Sequence, residues 1–193
     1  VVTSNPIVTI GDDNANHYAV VTENVYGGGD AAAVTGNTRV LYNDNNASST
    51  VNNLFGGGNA AGVSGTATVT LTSGKVLTGI YGGCNASGTV GGAIALNING
   101  GLVGTDANNR AYGIFGGGKG SDTRTGDAVT VTIGTATDAQ TYPTIYGDVY
   151  GGSAEGQVND DLAEIAKVWL KKGVINGDLY GGGFGDNGSN ALV

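Results

Sequence analysis

The chain has 193 residues, of which 38 are glycine, 2 proline and 1 cysteine, and its formal net charge is −8. An acidic chain with only 8 Lys and Arg is a poor partner for nucleic acid or an anionic membrane, and a single cysteine closes no internal disulfide. Periodic glycines with so little proline set it apart from a disordered low-complexity tract and from collagen, where glycine falls at every third position.

No run of 18 apolar residues is present, so no membrane-inserted helix is expected. There is no methionine and no leader-like segment, from which we expect a mature or excised piece of a longer polypeptide. Few lysines and abundant Asn, Thr and Gly fit an exported bacterial protein, placed outside the cell or on its surface.

Taken in order, residues 1–24 read as an incomplete first unit. Pro6-Ile7-Val8-Thr9-Ile10 is strand-like, a polar loop follows from Asp12, and Tyr18-Ala19-Val20-Val21-Thr22 is a second apolar stretch. It leads into Val25-Tyr26-Gly27-Gly28-Gly29, one branched aliphatic, one aromatic and then glycines. This box returns with its aromatic at Phe55, Tyr81, Phe115, Tyr150 and Tyr180, in steps of 29, 26, 34, 35 and 30 residues. The residue before each box is Asn24, Asn53, Gly79, Gly113, Asp148 or Asp178, all types that tolerate a left-handed backbone or an Asx turn.

After each box a short bridge ends in glycine. The strongest strand signals follow, at residues 38–42, 68–72, 93–98 and 129–133, where Val69/Leu71, Leu96/Ile98 and Val131/Ile133 alternate with Thr, Ala and Asn. A turn, often at Gly74 or Gly100-Gly101, leads to a third apolar segment such as Val76-Leu77, Leu102-Val103 or Val174-Ile175. Polar excursions at 43–46, 105–109 and 138–141 account for the unequal steps.

Three short strands per repeat cannot bury a face alone, but they can when repeats stack and each strand pairs in parallel with its counterpart. The fold class expected is all-β, a parallel β-helix (β-solenoid) of roughly six turns, in one domain over residues 1–193. A propeller would want four strands in roughly 40–45 residues, longer than these repeats. One segment is ambiguous. Over 161–172, Asp161 and Glu164 form a capping box and Leu162, Ile165, Trp169 and Leu170 fall at helical spacing, whereas parallel pairing with the preceding repeat favours a strand at 167–171.

The six box aromatics, Tyr26, Phe55, Tyr81, Phe115, Tyr150 and Tyr180, are the candidate ligand-binding residues, as a platform for sugar rings; the competing reading is a structural ladder that sets register. His17 is the only histidine and reads as a surface residue, so no histidine-based triad or metal cluster is expected, and no cofactor. Cys84 reads as a small buried thiol. Asp148 and Asp178 take the same place on successive repeats, either as bend formers or, with Asp186, as a weak cation site.

The boxes resemble the Val/Ile-Tyr-Gly-Gly-Gly repeats of large glycine-rich surface proteins of gut bacteria, and the chain is similar more broadly to right-handed β-helix proteins, which include autotransporter passengers, adhesins and pectin-lyase-like enzymes. The resemblance covers residues 18–183 and implies a right-handed coil. It favours a non-enzymatic, secreted or cell-surface module, adhesin-like or a stalk, whose partners are host or microbial glycans. The alternatives are a polysaccharide-binding protein or lyase/hydrolase of the pectin-lyase-like type, and an ice-binding solenoid, suggested by Thr68/Thr70/Thr72 and Thr130/Thr132. A stack without end caps leaves strand edges open, so end-to-end self-association is expected.

Overall fold

The computed structural model describes residues 1–12, 14, 16–135, 141–159 and 165–185. Among these the first strands are β1 (Ile7–Ile10), β2 (Val20–Tyr26), β3 (Thr38–Tyr42), β4 (Thr50–Phe55), β5 (Ala67–Leu71) and β6 (Lys75–Tyr81). They are followed by β7 (Ser87–Val90), β8 (Ile94–Ile98), β9 (Leu102–Val103), β10 (Gly113–Phe115), β11 (Asp122–Thr125) and β12 (Val129–Ile133). The last are β13 (Thr144–Ile145), β14 (Val149–Tyr150), β15 (Gln157–Val158), β16 (Ala166–Leu170), β17 (Val174–Ile175) and β18 (Leu179–Tyr180). No helix occurs among the described residues, and every strand pairing is parallel.

The first sheet has the order β1-β3-β5-β8-β12-β16, one strand from each successive repeat. Val69, Leu71, Leu96, Ile98, Val131 and Ile133 are fully buried, and Thr68, Thr70, Asn97 and Thr132 lie on the other face. The period-2 alternation is what a strand with one buried face requires. Gly74, Gly101 and Gly134, with φ of 100°, 78° and 77°, turn the chain out of these strands, a conformation that a side chain would strain.

The glycine boxes and the third apolar segments share a second sheet of nine strands. In β2, β4 and β6 one strand carries both, with register shifts between Val21 and Asn24 and between Val51 and Asn53. In later repeats they separate into β9, β13 and β17 on one side and β10, β14 and β18 on the other. A third sheet, β15-β11-β7, comes from the bridges after each box, and single pairings carry it back through Val63, Val34 and Val2. Periodicity does not reveal it, because each bridge sends inward only one or two side chains, such as Val34, Val63 and Val90. Inward residues of all three sheets, among them Val40, Leu54 and Val90, belong to one core cluster.

The ambiguous segment is a strand where it is described. β16 pairs with β12 from Val129↔Ala166 to Ile133↔Leu170 without a shift, so the strand expected at 167–171 is found at Ala166–Leu170, and the alternative helix over 161–172 is not formed where the segment is described. A five-residue parallel ladder outweighs a local helical spacing that places Trp169 and Leu170 together. Asp161 and Glu164 lie outside the described residues, as does most of the 138–141 excursion.

Candidate functional site

The box aromatics form one continuous ladder. Ring centroids are 5.1 Å apart for Tyr26–Phe55, 4.6 Å for Phe55–Tyr81 and 5.2 Å for Tyr81–Phe115. Phe115–Tyr150 and Tyr150–Tyr180 follow at 4.9 and 4.8 Å, and interplanar angles are 20° or less throughout. Such spacing follows from parallel pairing, which sets equivalent residues about 4.8 Å apart, near the distance at which rings stack favourably. Phe55, Tyr81 and Phe115 are buried, Tyr150 nearly so, and Tyr26 is partly exposed. Tyr180 is the one rung that is largely open. Phe184 meets Tyr150 edge-on at 5.7 Å, and Tyr112 lies against Phe115 at 5.4 Å. The six rings are thus brought together as a stack, with the ends rather than the interior rungs accessible.

Beside the ladder runs a track of glycine backbone. Gly27, Gly56, Gly82, Gly116 and Gly151 each donate their N–H to the carbonyl of the next box's aromatic residue, at 2.9 to 3.0 Å. A Cβ at any of these five would fall against the carbonyl oxygen of the first glycine in the next box. At the second position it would press on the third residue of the next box; at Gly57 that residue is Cys84, with Sγ 2.6 Å away. None of the six boxes has a positive φ, so glycine is needed for close approach, not for unusual dihedrals. The third position is filled also by Cys84 and Ser153. Cys84 is buried, its thiol donates to the Ala61 carbonyl at 3.4 Å, and burial pushes its pKa up.

Where the residue before a box is Asn or Asp, it does not turn the chain by a left-handed backbone: among the described non-glycine residues only Asn159 has positive φ. Its side chain serves instead as a polar rung. Asn53 Nδ2 donates to Asn24 Oδ1 at 2.9 Å, and Asn24 Nδ2 donates to the Tyr26 hydroxyl at 2.9 Å. A second amide ladder joins Asn85, Asn59 and Asp30 and also reaches the Tyr26 hydroxyl. Neither ladder is visible as a motif, although an Asn recurring at the box spacing is the signal that could have revealed both.

Asp148 and Asp178 do stand on adjacent repeats. Asp148 Oδ1 accepts the Asp178 N–H at 2.9 Å and faces the Arg110 guanidinium at 3.4 Å, and Oδ2 accepts the Tyr150 hydroxyl at 3.3 Å. Asp178 Oδ2 accepts the Tyr180 hydroxyl at 3.0 Å. Donors therefore face three of the four carboxylate oxygens. Among the described residues no group of three or more His, Cys, Asp or Glu is placed to hold a metal ion; Asp186 lies outside them. Burial, and then the charge of Asp148, pushes the Tyr150 hydroxyl up to about 12.

His17 is exposed, with Nδ1 2.7 Å from Asp12 Oδ2. This contact and the Asn14 N–H hold the Asp12 carboxyl below its ordinary value. On the outer face of the six-stranded sheet the threonines at 68, 70, 130 and 132 are separated by Ala95 and Asn97. The same face ends at Trp169, whose ring has the Lys167 and Lys171 ammonium groups each 4.2 Å from its centroid. Helical spacing hides this arrangement; strand alternation, with Lys two residues on either side of Trp, exposes it.

The chain matches no family model, no curated protein and no solved structure.

Proposed function

We propose that the chain is a non-enzymatic structural module: a right-handed parallel β-helix of roughly six turns that serves as a stalk or adhesin-like segment of an exported bacterial surface protein. The observation that supports this reading most directly is the glycine track. Its residues and the stacked rings beside them are committed to repeat-to-repeat contact, in which every step is hydrogen-bonded backbone to backbone. Such a stack propagates by nearest-neighbour contacts, which suits a stiff extended element more than a cleft. The outer face of the six-stranded sheet presents Thr, Ala, Asn and Lys where a pectin-lyase-like site would gather carboxylates.

The test is incubation with a panel of acidic and neutral polysaccharides, followed by assay for new reducing ends and unsaturated products. No product from any member is expected. Turnover of one of them would overturn the non-enzymatic reading, and retention of an intact polysaccharide would make the module an adhesin rather than a bare stalk.

A further inference from the structure

The corners that follow the first sheet differ in length. Seven residues, 43–49, join β3 to β4, whereas three, 72–74, join β5 to β6 and three, 99–101, join β8 to β9. The long corner projects past the two tight ones, and a pocket of about 200 Å³ opens beside it. The strands that flank the pocket, β4, β5, β6 and β9, each have partners on both sides. Two Asx bonds stiffen the long corner: the Asn46 N–H donates to Asp44 Oδ1 at 2.9 Å and the Ser48 N–H to Asn46 Oδ1 at 2.8 Å. Gly74, with φ of 100°, keeps the next corner tight, and a Cβ there would strike the Tyr42 ring.

The pocket holds a buried charge. Asp44 lines it and is 3% exposed, yet among the described residues Oδ2 has no hydrogen-bond donor and the carboxylate has no ion-pair partner. A buried carboxylate without a counter-charge is costly. Ser49, also in the lining, is 0% exposed; its Oγ accepts the Ala19 N–H at 3.0 Å, which leaves its own proton to donate. Lys75 and Leu102 complete the opposite side. They are register partners on the outward face of the second sheet, since Val76 and Val103 beside them are buried. Lys75 has no ion-pair partner among the described residues either. Two opposite charges thus share one small pocket without meeting.

We infer that this pocket binds a free α-amino acid with an aliphatic side chain. Its ammonium neutralises Asp44 at Oδ2, its carboxylate pairs with Lys75, and its side chain lies on Leu102. A lone anion would meet Asp44 and a lone cation would meet Lys75, whereas a zwitterion satisfies both. One carboxylate beside a lysine is also a poor start for the six to eight oxygen ligands that Ca²⁺ takes. The volume is below the roughly 300–1,000 Å³ that drug-sized ligands occupy, which suits a single amino acid rather than a chain of them.

Titration of the isotope-labelled 193-residue chain with L-leucine, followed by backbone amide spectra, tests this. The Asn46 and Lys75 amides are the reporters, because they donate to Asp44 Oδ1 and to the Tyr42 hydroxyl. Both should shift saturably. Leucine amide lacks the carboxylate and N-acetylleucine lacks the ammonium, and each should bind about tenfold or more weakly; methyl glucoside should shift neither amide. Asp44→Asn keeps an acceptor for Asn46 and should weaken leucine binding by about tenfold or more, as should Lys75→Gln at its outward position. Leu102→Ala should weaken binding of leucine but not of glycine. No saturable shift at either reporter, an equal response to leucine amide or to methyl glucoside, or undiminished binding in Asp44→Asn or Lys75→Gln would overturn the inference. An Asp44–Lys75 ion pair that closes the pocket in solution would give the first of these results. The proposed stalk stands in every case, because it depends on the glycine track and not on this corner.

Discussion

The six-stranded sheet and the glycine track solve the same stacking problem in opposite ways. In the sheet, inward side chains such as Val69, Leu96 and Val131 fill the space between layers, and the backbones stay at ordinary strand spacing. In the track, backbone meets backbone, and a single added Cβ would fall on the carbonyl of the next repeat. The sheet can absorb a change of volume by repacking side chains; the track has no side chain to move. A repeat protein can thus hold register by two devices at once, one that depends on shape and one that depends on the absence of shape.

The contrast is sharpest for one methyl group. Gly116→Ala places a Cβ against the Gly151 carbonyl and 2.5 Å from Val129 Cγ1, with backbone on one side and a packed core residue on the other. We expect a loss of about 3 kcal/mol or more, read from the midpoint of denaturant unfolding. Ile133→Val removes one methylene from a fully buried side chain in the sheet and should cost about 1 kcal/mol. If the two substitutions cost the same, the backbones of the track have more room than their geometry shows and the distinction fails.

Much of this architecture is legible in the amino-acid sequence. The boxes, the strands beginning at 38, 68, 93 and 129, and the parallel pairing of successive repeats all follow from periodicity and β-branched residues. The third sheet is not legible there, because segments such as Ser87–Val90 bury little more than one valine each and so carry no alternation. At 166–170 the residues point both ways: Ile165, Trp169 and Leu170 have helical spacing, and only the partner strand Val129–Ile133 decides. Residue type alone misleads at the position before each box. Asn24 and Asn53 act through amide hydrogen bonds across repeats rather than through an unusual backbone, and a partner 29 residues away has no local signature. For the aromatic ladder the six positions are visible but not their burial, to which Tyr112 and Phe184 contribute at Phe115 and Tyr150 by packing alongside from outside the boxes.

The ladder's polar edge adds a smaller, pH-dependent effect. Burial and the Asp148 carboxylate raise the Tyr150 hydroxyl to about 12, whereas an unfolded tyrosine ionises near 10. The folded state therefore holds this proton more tightly; the stabilisation is fully present below about pH 10 and is lost as pH rises from about 10 to about 12. Tyr150→Phe removes the ionisable group and should move the alkaline unfolding midpoint to higher pH, as followed by circular dichroism. Asp148→Asn keeps an acceptor for the Asp178 N–H while removing the charge, so the part of the tyrosinate titration that Tyr150→Phe removes should move to lower pH than in the parent. An unchanged absorbance profile in Asp148→Asn would mean that burial alone sets the shift.

The smallest effect is expected at the position that most resembles the largest. Gly181 is the first glycine of its box, as Gly116 is, and it follows Tyr180 as Gly116 follows Phe115. Its backbone does not lie in the left-handed region, and a Cβ built there has nothing within 4 Å. If glycine were required at this position by local conformation, Gly181→Ala would damage the protein as Gly116→Ala does. If it is required only by the approach of a following repeat, the single chain should tolerate the methyl group. Loss of backbone freedom in the unfolded state would then leave stability unchanged or raise it by up to about 1 kcal/mol. Denaturant unfolding at a concentration low enough to keep the chain monomeric separates the two. A loss at Gly181 comparable with that at Gly116 would locate the requirement in the box itself and not in the contact between boxes.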